Sequence, residues 1–176
     1  MVTTEALEPV DLDEGQQAIA MLSAMDDPLD LLPDEAFDEL LVLSTRGHPQ
    51  EIQDYVERRG LDPSGVYVLP VSGSSVRYDG PLTVAERTGP TNLTKVGVVF
   101  SNTLESMDDN PWVLFDNFNI LLMYADESRV YRFMDTMIGN VRARQGCGVY
   151  CTVRDAVEDQ TYEKFRQLCE VEVDRR

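Results

Sequence analysis

The chain has 176 residues, and 32 acidic against 15 basic side chains give it a net charge of −17. Its length suits one domain. So few Lys and Arg side chains argue against binding along a nucleic-acid backbone or lying on an anionic membrane. Two of the basic residues are lysines and thirteen are arginines. We interpret this composition as that of a protein from a salt-loving microbe, because molar salt shortens the Debye length to about 3 Å and screens the repulsion. The alternative is a mesophile protein that happens to be acidic.

The N-terminal residues show no targeting signal. Residues 1–13 are acidic and lack the basic start and apolar run of a signal peptide. No apolar stretch approaches the ~20 residues that span a bilayer, and three cysteines are an odd number for a disulfide framework. We therefore expect a cytoplasmic protein with reduced thiols and no membrane partner. Residues 1–13 are predicted to be a flexible acidic tail, and residues 14–176 a single α/β domain.

Helical and strand-like segments alternate along the predicted domain. Apolar residues at a spacing of three to four predict helices over residues 14–26, 45–60, 91–107, 118–125, 127–143 and 157–168. Compact apolar runs predict strands over residues 39–44, 66–71, 112–116, 147–153 and 170–173, with a short strand at 82–86. This alternation predicts a three-layer α/β fold, with a mainly parallel sheet and helices on both faces. Right-handed crossovers would gather the loops after residues 43, 71, 115 and 153 at one rim of the sheet.

A phosphate-binding loop would lie in the turn after the first predicted strand, Ser44–Gln50. Such a loop needs several glycines for its backbone cradle and a lysine for the β- and γ-phosphates. This turn contains one glycine, no lysine, and Pro49, which removes a backbone donor. We therefore expect no P-loop. Two interpretations stay open: weak anion binding at the helix start through Arg46, and an ordinary strand–helix turn.

Asp116, His48 and the cysteines are the other candidates for chemistry. Asp116 follows a buried-type strand, where an aspartate can hold Mg²⁺ or cap a structural element such as the helix at 118–125. The single histidine, His48, would have to serve any nucleophile–base pair, but no G-x-S-x-G motif accompanies it. Cys147 and Cys151 would lie about 13 Å apart on one strand, too far for one zinc ion. We expect structural roles for Asp116 and His48, and buried packing thiols.

The second half of the chain resembles the RecA/KaiC-like ATPase core, and in particular an uncharacterised haloarchaeal family of small, degenerate KaiC-like proteins. The resemblance covers roughly residues 36–174. It rests on Asp116-Asn117-Phe118 after an apolar strand, on the helix Arg129-Val130-Tyr131-Arg132-Phe133, and on the segment from Thr161 to Leu168 before the last strand. ATP-hydrolysing relatives carry Gly-Lys-Ser/Thr after the first strand, where this chain has Gly47-His48-Pro49. The resemblance therefore implies a RecA/P-loop-like core without a functional P-loop.

The function expected from this resemblance is non-catalytic. The chain would be a pseudo-ATPase that regulates or signals by binding another protein in a halophilic cytoplasm, with no cofactor and no metal. Homo-oligomers stay open, and no direct contact with nucleic acid is expected. The alternatives are a nucleotide or small-anion sensor without hydrolysis, and a transcription-linked regulatory factor. The partner or ligand is expected at the rim of the sheet, on Thr45, Arg46, His48, Ser72, Ser74, Asp116, Asn117 and Arg154.

Overall fold

Seven strands form one sheet in the computed structural model, which describes residues 7–46 and 48–175. They are β1 (Gln17–Leu22), β2 (Leu40–Ser44), β3 (Val66–Pro70), β4 (Thr83–Val84), β5 (Trp112–Phe115), β6 (Cys147–Val153) and β7 (Val171–Asp174). Their order across the sheet is β4-β3-β2-β5-β6-β1-β7, and every neighbouring pair is parallel. Parallel strands need covered crossovers, and helices supply them.

Helices cover both faces of the sheet. They are α1 (Pro49–Arg58), α2 (Leu93–Ser106), α3 (Asn119–Leu122), α4 (Glu127–Ala143) and α5 (Asp159–Arg166). Helices α2 to α5 share one apolar core with alternate side chains of the strands. The other face is covered by α1 and by two short 3₁₀ helices, Pro28–Leu31 and Asp34–Asp38. The predicted three-layer α/β architecture is confirmed, and the sheet is parallel throughout the described residues.

Local sequence explains where the helices begin and end. His48 caps α1, and Pro49 occupies its first turn, where a missing N–H is harmless. Gly60, at a φ of +78°, lets the chain leave this helix in the left-handed conformation. The Asn92 side chain accepts from the Lys95 N–H at 3.1 Å and starts α2. The bounds predicted for α4 and β6 are confirmed to the residue.

The predicted helix over residues 14–26 is wrong, because its central residues form strand β1. All six side chains of Gln17–Leu22 are buried, since β1 lies between β6 and β7 with a core on either face. A short run that is apolar on every side fits a buried strand and a buried helix equally well, and the spacing alone could not separate them. The strand that the sequence places first is consequently the second, so Ser44–Gln50 follows β2 rather than β1.

The predicted tail also differs from the structure in its second half. Val10 is buried, and its N–H donates to the Leu31 carbonyl at 2.8 Å. Leu7 and Leu12 pack against the same apolar core. Three apolar residues among acidic ones are enough to hold an extended segment against the sheet, although they show no periodicity. Residues 1–6 of the predicted tail lie outside the described residues.

Candidate functional site

The carboxyl ends of β1, β2 and β5 border a cleft of about 450 Å³. Because the strands are parallel, their following loops meet at the same edge of the sheet. The loop after β1 forms one wall and helix α1 forms the other. The lining residues are Met25, Asp26, Asp27, Pro28, Leu29, Val42, Ser44, Arg46, Glu51, Ile52, Tyr55, Arg58, Leu114 and Asp116.

Asp116 lies at the base of this cleft and ties the end of β5 to the loop after β2. Its carboxylate accepts from the Thr45 N–H at 3.0 Å and the Thr45 hydroxyl at 2.8 Å. The Arg46 N–H also donates to it, at 3.3 Å. The aspartate therefore has the structural role expected of it, but its partner is the loop after β2. Helix α3, which follows it, begins without a side-chain cap.

Burial dominates the acidity of Asp116. Desolvation raises the pKa of its carboxyl above the ordinary value, because an ion is costly where water is excluded. The hydrogen bonds from Thr45 and Arg46, and the positive charge of Arg46, act in the opposite direction and are smaller. Every donor that reaches this carboxylate through a described hydrogen bond belongs to the loop after β2, which is the arrangement of a structural anchor.

Two arginines line the cleft without forming an ion pair among the described residues. Arg46 and Arg58 are exposed, and no carboxylate oxygen of a described residue lies within 4.0 Å of the guanidinium nitrogens of either residue. Among the described residues, the Arg46 guanidinium donates to the Ala24 carbonyl at 3.5 Å, and that of Arg58 donates to the Asp54 carbonyl at 3.3 Å. Both side chains keep donors that can turn toward a ligand in the cleft.

Most of the acidic groups at the cleft are already engaged. Asp26 accepts from the Ser23 N–H at 2.9 Å and pairs with Arg175 at 3.5 Å. Asp27 accepts from the Leu29 N–H at 3.0 Å and caps the first 3₁₀ helix. The cleft is thus lined by acids that serve the fold, by Glu51, and by two arginines whose described side-chain hydrogen bonds go to backbone carbonyls.

Tyr55 adds an aromatic wall rather than an acid–base group. Its hydroxyl donates to Asp30 at 2.6 Å and accepts from Arg59 at 3.2 Å. Burial, reinforced by the Asp30 carboxylate, raises the pKa of this phenol well above its usual range. Tyr55 stays protonated at neutral pH.

His48 acts as a helix cap with both ring nitrogens occupied. Nδ1 accepts from the Gln50 N–H at 3.1 Å, and Nε2 lies 2.7 Å from the Arg77 carbonyl, to which it must donate. This fixes the neutral tautomer with its proton on Nε2. The expected structural role of His48 is confirmed, and neither nitrogen is left to activate a nucleophile.

The remaining predicted rim residues do not converge on the cleft. Ser72 accepts from the Ser74 N–H at 3.1 Å in the turn after β3. The Asn117 side-chain oxygen is buried and has no hydrogen-bond partner among the described residues. Arg154 follows β6, its N–H donates to the Leu22 carbonyl at 2.7 Å, and its exposed side chain does not line the cleft. Of the eight predicted residues, the structure joins Thr45, Arg46 and Asp116.

Sequence reasoning missed the residues that shape the walls of the cleft. Arg58 and Tyr55 lie on α1 well after the rim, and residues 25–27 follow a strand that the pattern assigned to a helix. The missing signal was β1: once this strand is placed beside β6, the loop after it must reach the same rim as Asp116. The acidic stretch Asp26-Asp27-Pro28 is itself a recognisable cap.

The cysteines pack and show no sign of reactivity. Cys147 and Cys151 are buried on the same face of β6, as predicted, and Cys169 is half-buried. Burial raises the pKa of all three thiols, that of Cys169 to about 12. In residues 7–46 and 48–175, no three His, Cys, Asp or Glu side chains are grouped so that they could hold a metal ion. No described helix is both long and apolar enough to cross a bilayer.

Comparison with known proteins assigns the chain to a family. The model of the "Family of unknown function (DUF7504)" matches residues 20–174. The chain belongs to this family. The match begins inside β1 and ends with β7, so it includes the second half of β1, the other six strands and all the residues that line the cleft. No curated protein matches the chain.

One solved structure illustrates the fold. A protein from Pyrococcus horikoshii OT3, described only as the subject of a structural study, superposes with a TM-score of 0.61 at 10% sequence identity. The superposition covers 93% of this chain and 83% of the Pyrococcus chain. At this identity the similarity establishes a shared α/β architecture.

Proposed function

We propose that this protein is a non-catalytic, degenerate RecA/KaiC-like regulator that acts by binding another protein in a halophilic cytoplasm. The observation that carries the proposal is that the catalytic-type groups at the rim serve the fold. Asp116 holds the loop after β2, and His48 caps α1 through one nitrogen and contacts Arg77 through the other. A hydrolase needs such groups aimed at a substrate.

The phosphate-binding requirement supports the same proposal. The loop after β1, Ser23-Ala24-Met25-Asp26-Asp27, contains neither glycine nor lysine, and the turn after β2 contains one glycine and no lysine. Phosphoryl transfer depends on backbone donors and positive charge placed around the phosphates. The charged side chains of the loop after β1 are the carboxylates of Asp26 and Asp27, which repel a phosphate.

The first experiment measures turnover and binding together. Purified full-length protein in molar KCl is expected to hydrolyse ATP and GTP no faster than buffer. A tagged copy is expected to retain one protein from a cell lysate. After the two proteins are purified separately and mixed, they are expected to bind again in a one-to-one ratio. Turnover that survives repurification and disappears in Asp116→Asn would contradict the proposal, as would the absence of any protein that rebinds.

A small-anion sensor is the second candidate, and Arg46 and Arg58 favour it. Both guanidinium groups line one cleft without a described ion-pair partner. A panel of phosphates and carboxylates, read by melting temperature in molar KCl, tests it. A ligand at 100 times its Kd adds about 2.7 kcal/mol of stability. The double variant Arg46→Ala with Arg58→Ala should remove this shift, and Arg129→Ala with Arg132→Ala, an equal charge change on exposed α4 positions, should keep it.

A further inference from the structure

Strand β7 is at the edge of the sheet, with β1 as its only partner among the described strands. The Arg175 N–H donates to the Met21 carbonyl at 3.0 Å. The backbone N–H and C=O groups of successive residues in a strand point in alternate directions. Those of Val171 and Val173 therefore face β1, as the Arg175 N–H does, and those of Glu172 face outward, away from the sheet. Edge groups of this kind are a template for another strand.

A groove of about 720 Å³ runs beside this edge, between β7 and residues 7–11. Val171 and Val173 are half-buried in its floor, where they extend the apolar core that contains Val10 and Leu31. A strand added to β7 would alternate its side chains between this apolar groove and the opposite face of the sheet.

Most of the charged side chains that line the groove are acidic. Glu8 and Asp11 are exposed on its wall, and Glu172 is exposed on the strand itself. The basic group of the groove, Arg175, is already paired with Asp26 at 3.5 Å. Glu8, Asp11 and Glu172 form no ion pair with a described residue, so an added segment would meet carboxylates on both sides of its backbone.

We propose that the β7 edge binds an extended segment of a partner protein in which apolar residues alternate with lysine or arginine. The segment would pair with Glu172 through its backbone, place apolar side chains over Val171 and Val173 in the groove, and direct its basic side chains to the opposite face of the sheet, where the Glu172 carboxylate lies. This inference rests on the proposed function, since it names the surface and the chemistry of the protein that is bound. A second copy of the chain fits less well, because acidic β7 would face itself.

A synthetic six-residue peptide tests the edge directly. Acetyl-Lys-Val-Lys-Val-Lys-Val-amide carries a fluorophore, and its anisotropy is followed at the lowest KCl concentration at which the full-length protein stays folded. Saturable binding is expected. Peptides with serine for valine, or glutamate for lysine, should bind at least about tenfold more weakly, a difference of about 1.4 kcal/mol. Equal binding of the lysine–serine peptide would overturn the inference, because it would reduce the contact to charge attraction.

Two variants of one residue separate backbone pairing from charge. Glu172→Pro removes the outward N–H without removing a hydrogen bond to β1, and prolines are tolerated on edge strands. Glu172→Gln removes the same charge, keeps the N–H and keeps an acceptor for the Tyr162 hydroxyl, which donates to Glu172 at 2.6 Å. Glu172→Pro should weaken peptide binding about tenfold relative to Glu172→Gln. Equal affinity of the two folded variants would overturn the inference.

Hydrogen exchange gives a readout in the unmodified protein. The Glu172 amide should exchange rapidly in free protein and slowly with saturating peptide. Slow exchange without peptide would mean that the edge is already covered, and would overturn the inference. If the peptide fails while the purified cellular partner still rebinds, the β7 inference falls and the proposed function stands. If no partner rebinds, the proposed function falls. Binding of the peptide would then still show that the β7 edge accepts a strand of this chemistry.

Discussion

At the end of β5, one buried carboxylate accepts hydrogen bonds from three donors of a neighbouring loop. Asp116 satisfies the Thr45 N–H, the Thr45 hydroxyl and the Arg46 N–H, all in the loop after β2. Its oxygens face donors from the chain itself, so the residue positions a loop. The adjacent Asn117 side-chain oxygen has no such partner, although it is buried.

Removing the Asp116 carboxylate should destabilise the protein. Asp116→Ala leaves three donors without their acceptor, and we expect it to lower the free energy of unfolding by about 2 kcal/mol. Chemical denaturation of both proteins at the same molar KCl concentration measures the difference. Asp135→Ala, on the exposed face of α4, is the control and should change stability by less than about 0.5 kcal/mol. A loss no greater than that of the control would show that the anchor contributes nothing.

The pH dependence of this residue has a definite sign. Burial raises the pKa of Asp116 above its unfolded value of 3.8, so the folded protein holds the proton to higher pH than the unfolded chain. Its contribution is therefore full below the unfolded pKa and is lost as pH rises through the raised folded pKa. Relative to Asp116→Asn, the wild type should be more stable near about pH 4 and lose this advantage toward neutral pH. Parallel denaturation series of both proteins test this, and a difference that grows with pH would contradict it.

The element that most constrains the fold is β1, which is held to β6 by a buried polar contact. The Gln17 side chain donates to the Gly146 carbonyl at 2.9 Å and accepts from the Tyr150 hydroxyl at 2.7 Å. Gly148 lies directly against the Tyr150 hydroxyl and the Gln17 side-chain oxygen. These contacts set the register between the two strands, because a shift by one residue would bury Gln17 without partners.

Two glycine variants test this register. A Cβ on Gly148 would overlap the Tyr150 hydroxyl and the Gln17 side-chain oxygen, so Gly148→Ala should cost about 2 kcal/mol of unfolding free energy. Gly139, on α4, has open space where its Cβ would lie. Gly139→Ala should instead stabilise the protein by about 0.5–1 kcal/mol, because alanine is the better helix former. Thermal unfolding of both variants checks the two signs, and stabilisation by Gly148→Ala would refute the packing at β1 and β6.

At the scale of the whole molecule, the net charge works against the folded state. A net charge of −17 on one domain opposes compaction, and the described ion pairs are few and mostly exposed. Exposed pairs of this kind contribute little each. The repulsion is therefore left for the solvent to screen.

Salt should stabilise the protein strongly. Between low salt and molar KCl the Debye length falls to about 3 Å, which screens most repulsion between surface carboxylates. We expect the melting temperature to rise steadily over this range, and to rise less steeply in a variant in which exposed acids such as Glu35, Glu57 and Glu105 are changed to glutamine. A flat profile, or a maximum at low salt, would refute the halophilic interpretation.

The sequence by itself determined the fold class and most of the elements. Alternating helices and strands required a parallel sheet with covered faces, and α4 and β6 were bounded by unambiguous signals: apolar positions on one helix face, then Gln145-Gly146, then a continuous apolar strand. The buried role of Cys147 and Cys151 and the capping role of His48 also follow from residue type and position. These features depend on interactions between residues that are close together in the sequence, so the sequence alone is sufficient to predict them.

Only the tertiary structure decided what happens at β1, at the cleft and at the edge of the sheet. The run Gln17–Leu22 is a strand because β6 and β7 flank it, and neither is near it in sequence. Arg58 joins Arg46 at one cleft because α1 forms a wall beside the carboxyl ends of β2 and β5, while the exposed Arg154 side chain does not line the cleft, although β6 lies between β5 and β1. The physical reason is common to all three: burial and charge at these positions are set by contacts between distant segments, and local periodicity carries no record of which segments meet.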